Sequence, residues 1–374
     1  MPVRAPQLVP ADATRVAAHR LAAQGIARHP YADPAGLVGA MGAIQAQDPA
    51  GARWAVAIRL GGRGLTETAI LRAIETGAIV RTHAMRWTWQ LVAASDLHWL
   101  LPLVAPVLVR RAARRFRELD LDERTFRRSR AALERALAGG AHLTRDELSA
   151  ALDAAGISTA DGRRLSHLLG RAELDGVIGS GAPRGKAATY ALLETRAPRP
   201  ATPWPRERAL AELARRYFRT RGPATLADFV WWSGLPPAEA RAAVQQVEPE
   251  LARETIAGQA TWRDPDASPA GRAALAGAYL VPPFDEILVA YKDRAALLDP
   301  AHARRLNAGG GMLAPAVLLG GRVVGIWRRT LARAEVAITI YHFDRLTAAD
   351  RDAITAAAGR YAAFLGLKPV VEFT

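Results

Sequence analysis

Three times along this chain, helix-start signals give way to a short β-forming stretch that folds back on itself, and that recurrence constrains the architecture more than any single motif. In the first instance Val16, Leu21 and Ile26 mark a helix. Asp33-Pro34 and Asp48-Pro49 each open another, because aspartate accepts a free N-terminal amide and proline suits the first helical turn. Trp54, Ile58 and Leu60 follow, and Thr66 is placed to cap a short helix running to Thr76. The run IVRTHAMRWTWQLVAASD, Ile79 to Asp96, is then rich in β-formers and reads as two strands closed by a turn near His83–Met85.

The middle of the chain repeats this order. Leu133 and Leu137 lie on a helix stopped by Gly139-Gly140, and Thr144 with Glu147 makes a capping box that opens the next. Leu165, Leu168, Leu169 and Leu174 line a further helix, and VIGSG and TYALLE read as strands around a loop, Gly179 to Ala188. After a proline-rich linker, Ala197 to Glu207, the third copy has helices over Leu210–Arg219, from Thr225 and Asp228, and over Pro237–Val247. Short strands with Ile256 and Trp262 close it. From Gly277 the pattern turns to β: Ala316–Trp327 gives two apolar strands meeting at Gly320-Gly321, and Glu335–Phe343 extends the sheet. A helix from Thr347 to Leu365 and a strand, PVVEF, end the chain. Helices followed by a hairpin are the order of a winged helix. The expected fold is therefore mainly α with β wings, an α+β chain. Winged helices are expected at 10–105, at 106–196 (opened by a linker helix) and at 205–266, before a β-rich α+β domain at 277–374.

Charge and composition narrow the function. The 374 residues carry 50 Lys and Arg against 36 Asp and Glu, a formal charge of +14, and a polyanion is the natural partner of such a surface. Lys186, Lys292 and Lys368 are the only lysines. Codon bias in a GC-rich genome accounts for arginine over lysine but not for the excess of base over acid. The absence of cysteine excludes disulfides, cysteine-ligated zinc, iron–sulfur clusters and thiol nucleophiles. No secretory signal opens the chain and no apolar run reaches the ~18 residues of a membrane span, so a cytoplasmic protein is expected.

Metalloprotease, nucleophile-elbow and P-loop motifs are all missing, and the eight histidines are scattered. The GGRG around Gly61 lacks the context of a dinucleotide loop and reads as a turn. Asp285 and Glu286 are adjacent carboxylates that would face opposite ways on a strand, which favours structural roles. The odd feature is Gln45-Ala46-Gln47, a polar pair set between small apolar segments. Asp48 precedes a proline and so avoids helical geometry, leaving the segment extended. Residues two apart in an extended chain share a side, so Gln45 and Gln47 would present paired amides, either to loop backbone or to a substrate. Asp48 is open to a role as helix cap or as general base.

Two further clusters join guanidinium groups to aromatic faces or to one another. On the first hairpin stand Arg81, His83, Arg86, Trp87, Trp89 and Gln90, with alternation putting Trp87 and Trp89 on one face. Arginine binds phosphate and tryptophan stacks on bases at roughly 1–3 kcal/mol, but tryptophans facing the core with arginines facing water fit the same pattern. Arg110, Arg111, Arg114 and Arg115 lie three and four apart and make one basic helical face, closely followed by Glu118, Asp120, Asp122 and Glu123. Arg53, and Arg184 with Lys186 on the second wing, complete the candidate DNA contacts.

Taken together, IQAQDP, RTHAMRWTWQLVAASD, LVPPFDEILVAYKDR and GRVVGIWRR resemble the winged-helix DNA glycosylases of the AlkZ/YcaQ type, a likeness that runs from about Thr14 to the C-terminus. The resemblance implies tandem winged helices with a β-rich C-terminal domain, acting as a monomer on double-stranded DNA without cofactor or metal, in the cytoplasm at the nucleoid. It implies monofunctional excision of cationic N-alkylated purines (N7-alkylguanine, N3-alkyladenine), which in one branch extends to bulky adducts and interstrand crosslinks from alkylating natural products. That branch carries two glutamines separated by one apolar residue, as at Gln45 and Gln47, and these become the expected catalytic pair. The wing departs from the family's Arg-Gly-Thr pattern: here it reads Arg86-Trp87-Thr88, then Trp89-Gln90, and is bulkier. Two alternatives remain from the residues alone. One is a non-enzymatic winged-helix regulator of transcription, which would need no glutamine pair. The other is a C-terminal domain that binds a small ligand.

Overall fold

The computed structural model describes residues 10–62, 64–267, 271–309 and 312–374. Its first part holds helices Pro10–Ala23, Pro34–Met41, Pro49–Arg59 and Glu67–Glu75. Three short strands follow the order Ile44–Gln45, Trp89–Ala93, Ile79–His83 across an antiparallel sheet, with Gln45 opposite Gln90 and His83 opposite Trp89. Aspartates start two of these helices as their chemistry dictates: Asp33 accepts the Gly36 N–H at 2.9 Å and Asp48 the Ala50 N–H at 3.1 Å. Thr66 occupies its N-cap without making a side-chain bond, and Ile26 lies past the end of the first helix.

The same element order, helix, strand, helix, helix, strand, strand, recurs. It runs through Glu123–Ala136, Leu143–Thr144, Arg145–Ala154, Gly162–Leu174, Ile178–Ser180 and Thr189–Leu192, and the last strand in chain order is again central. The Thr144–Glu147 capping box is formed in full. It recurs again in helices Arg206–Arg221, Leu226–Ser233 and Pro237–Val247 with strands Ala252–Ile256 and Gln259–Arg263, where a single bridge from Ala224 to Trp262 replaces the first strand.

A boundary expected at 105/106 falls instead inside one helix, Leu97–Glu118, which runs through Pro102 and Pro106. Proline forfeits a hydrogen bond there, but both rings face solvent while Leu97, Trp99, Leu100, Leu101, Leu103, Val104, Val107 and Leu108 are buried, and that burial carries the helix.

The C-terminal sheet has five strands in the order Lys368–Phe373, Glu335–His342, Arg322–Leu331, Ala316–Leu319, Ala278–Val281, antiparallel except for the first pair. Helix Ala348–Leu365 packs on it, and Trp54 of the first part reaches into that packing. Its indole lies 5.1 Å from Tyr361 and 5.3 Å from Phe364, and its N–H donates to the Leu280 carbonyl at 2.6 Å. The first part and the C-terminal sheet therefore share one hydrophobic core, whereas residues around Leu133, Leu148 and Leu168 form another. No helix among the described residues is long and apolar enough to cross a membrane.

Candidate active site

Where the first part meets the C-terminal sheet lies a cavity of about 1280 Å³, and Gln45 and Gln47 both line it. Ile44–Gln45 is a two-residue strand, the chain bends at Gln47 and Asp48, and Asp48 itself has extended angles, φ −99° and ψ 106°, as the following proline requires. Hairpin strand Trp89–Ala93 and its neighbour stitch this segment in place: Ala46 N–H donates to Trp89 O at 2.7 Å, and Arg81 Nε donates to Ala46 O at 2.9 Å. Gln45 is buried and Gln47 exposed. Each side-chain carbonyl accepts one bond, Gln45 Oε1 from Arg86 Nη2 at 2.8 Å and Gln47 Oε1 from the Trp89 N–H at 3.3 Å, so each keeps a lone pair free.

Asp285 and Glu286 prove to be the scaffold of this site. They stand at the start of a short helix, Glu286–Val289, with Asp285 as its cap, and not on a strand. Asp285 makes a two-pronged pair with Arg59 at 2.7 and 3.0 Å, both side chains fully buried. Glu286 Oε2 accepts from Arg221 Nη2 at 2.7 Å and Trp232 Nε1 at 2.9 Å, while its Oε1 accepts the Gln45 backbone N–H at 3.0 Å. Arg221 also holds the carbonyls of Met41 and Ala43. Gln45 is thus fixed by a buried charge network spanning three parts of the chain.

The first hairpin departs from the expected alternation at its tip. Arg86 and Trp87 form the turn and both lie in the left-handed region, φ 58° and 59°, a conformation that costs non-glycine residues about 1–3 kcal/mol each. Trp87 consequently leaves the strand face and packs inward, 5.8 Å from Phe116 and 5.6 Å from His167. Gly170 admits it, since a Cβ there would stand 3.3 Å from the indole nitrogen. The ring is engaged by Phe116 and His167, which corrects the expectation that it shares a strand face with Trp89. Trp89 stays on the strand, 4.3 Å from His83, with Arg81 over its ring at 4.3 Å.

Other candidates divide into two groups. Arg53 pairs with Glu67 at 2.7 Å, buried His83 pairs with Glu173 of the second part, and buried Gln90 donates to Thr88 at 2.8 Å, so all three side chains are engaged within the protein. Arg110, Arg111, Arg114, Arg184 and Lys186 are exposed, although Arg114 pairs with Glu118 and Arg184 with Glu147. Burial pulls the guanidinium pKa of Arg81 and of Arg86 below its ordinary value. The cavity also brings in residues that sequence reasoning did not assign: Arg294, Arg305 and Arg328 from the C-terminal part, with Trp231 and Phe284. Arg294 and Arg328 lie within stretches that carry the family resemblance, the only signal that marked them. Asp48 is the sole carboxylate among the described lining residues, and its Oδ1 caps a helix. No group of three or more His, Asp or Glu side chains able to hold a metal ion occurs among the described residues.

The fold has a counterpart among solved structures. The chain is similar to the DNA glycosylase AlkZ of Streptomyces sahachiroi, with a TM-score of 0.73 and 23% identity over 96% of this chain and 99% of that one. No match is found among curated proteins. The model of the AlkZ-like DNA glycosylase family matches residues 38–364. The chain belongs to the AlkZ-like DNA glycosylase family, and it is an enzyme that hydrolyses N-glycosyl bonds in DNA. The alternative of a non-enzymatic regulator gives way to this.

Proposed function

We propose that this enzyme releases cationic N-alkylpurines from duplex DNA, with Gln45 and Gln47 as its catalytic pair. The observation that carries the reading is the composition of the cavity. Two neutral amides face it among arginines from the hairpin and the C-terminal sheet, and the one carboxylate is committed to a helix cap. An amide is too weak a base to take a proton from water early in a reaction. Its carbonyl dipole can still favour positive charge at C1′ and orient a water molecule. That suffices when the leaving group is already activated. As the C1′–N9 bond of an N7-alkylguanine breaks, the electron pair neutralises the purine cation. Water adds to the C1′ cation and loses its proton to solvent, without any strand cleavage.

Arg110, Arg111, Arg184 and Lys186 on the outer surface, and Arg305 and Arg328 at the cavity, supply phosphate contacts in this reading, and the three repeated units are winged helices placed along the duplex. A cavity lined in part by Trp231, Phe284, Leu306 and Ile326 also accepts bulky adducts in this reading. The protein works as a cytoplasmic monomer. The test is a duplex bearing one N7-methylguanine, assayed for alkali-labile abasic sites beside a matched uracil duplex. Release of methylguanine alone is expected, and efficient uracil release overturns the reading. Gln47→Ala should slow excision by about 10²–10³-fold, the usual cost of one preorganised catalytic dipole, with duplex affinity nearly unchanged.

A further inference from the structure

Arg86 makes three hydrogen bonds, and none is to a carboxylate. Nη2 donates to Gln45 Oε1 at 2.8 Å, and Nη1 donates to the carbonyls of Trp232 at 2.8 Å and Trp231 at 3.1 Å. The last two are free carbonyls at the C-terminal end of helix Leu226–Ser233, where a cation is favoured. Arg86 therefore ties the third unit to the amide of Gln45. Its backbone is held in the left-handed region together with that of Trp87, whose ring is packed against Phe116 and His167, so the guanidinium has a fixed origin as well as fixed targets.

We infer that Arg86 is a positioning residue that sets which end of the Gln45 amide meets the substrate, making Gln45 a hydrogen-bond donor and leaving the water to Gln47. This rests on the reading of the glutamines as the catalytic pair. The terminal torsion of glutamine is broad and its two ends are nearly the same shape, so an unrestrained amide presents either one. A guanidinium has donors only, and it admits Oε1 and refuses Nε2. Nε2 of Gln45 has no partner among the described residues, and Gln45 lines the cavity, so its two N–H groups are available there. A donor in that place stabilises the ring acceptors of a purine that is gaining an electron pair as it leaves. Gln47 is exposed and bound only at 3.3 Å, which leaves it free to follow a water molecule.

The experiment compares wild type, Arg86→Ala, Arg86→Lys and Gln45→Glu by single-turnover release of N7-methylguanine, together with affinity for undamaged duplex at several salt concentrations. Arg86→Ala should release the base about 10- to 100-fold more slowly, the range seen when partners that orient active ligands are removed, with duplex affinity and its salt slope unchanged. Free guanidinium in the buffer should restore part of the rate. Gln45→Glu keeps the bond to Arg86 but loses the donors, and it should be as slow as a truncation at Gln45. A salt slope reduced by about one for Arg86→Ala makes Arg86 a phosphate contact and overturns the inference, as does an unchanged rate or an active Gln45→Glu. If Arg86→Ala fails to fold, Arg86→Lys carries the same rate and salt comparison. A wild type that releases no methylguanine overturns the substrate reading and this inference with it; an active wild type with an equally active Arg86→Ala overturns this inference alone.

Discussion

A buried carboxylate that accepts four hydrogen bonds, as Glu286 does from Gln45, Trp232 and twice from Arg221, leaves its neighbours little freedom. Replacing it by alanine strands the Arg221 guanidinium in the interior, at a cost of about 3–5 kcal/mol. Glu286→Ala should therefore lower the urea midpoint sharply, and an unchanged midpoint would show that water reaches Arg221. At this scale the sequence was informative about some side chains and silent about others. The extended angles of Asp48 followed from Pro49, because a proline restricts the residue before it, whereas the bend that begins at Gln47 did not. The structural role of Asp285 and Glu286 was also legible, although they sit at a helix start and not on a strand. What joins Glu286 to Gln45 is a contact across 241 positions, which no local pattern encodes.

Among elements, the first hairpin taught the most. Its strands were legible from β-formers alone, but alternation assumed a regular path through Arg86 and Trp87. Two bulky residues with positive φ lie outside that assumption, since such turns are ordinarily made with glycine or asparagine. The consequence reaches the second unit, where Trp87 and Phe116 surround His167. Burial, then the nearby Arg115 and His83, hold the imidazole pKa below its ordinary value. A base whose folded pKa is depressed adds stability that is present above its unfolded pKa of about 6.5 and lost as pH falls through the folded value. The melting temperature should thus decline below about pH 6.5, and His167→Phe should lessen that decline. His19, lowered chiefly by burial, acts with the same sign and leaves a remainder. A wild-type melting temperature that is flat from neutral to mildly acidic pH would remove the argument.

For the whole molecule, the order of units could be read from start signals and turn residues, whereas their assembly could not. Trp54 joins the first part to the C-terminal sheet through Tyr361 and Phe364, more than 300 positions away. Trp54→Ala should cost about 3–5 kcal/mol and loosen both regions at once. By hydrogen exchange, amides near Ile44 and Val317 should lose protection together, while those of Leu148 and Leu152, in a separate core, keep theirs. Loss confined to the first part would mean that the two regions are only apposed. The place of the cavity arginines was hidden for the same reason, as Arg294, Arg305 and Arg328 come to line one cavity with Gln45 only once these regions assemble.

The inward course of Trp87 bears on how damage is found. Trp87 packs against Phe116 and His167, so under the reading proposed above its indole is not the group that parts stacked base pairs. In that reading the weakened bond of the lesion, and not an inserted ring, marks where Gln45 and Gln47 act.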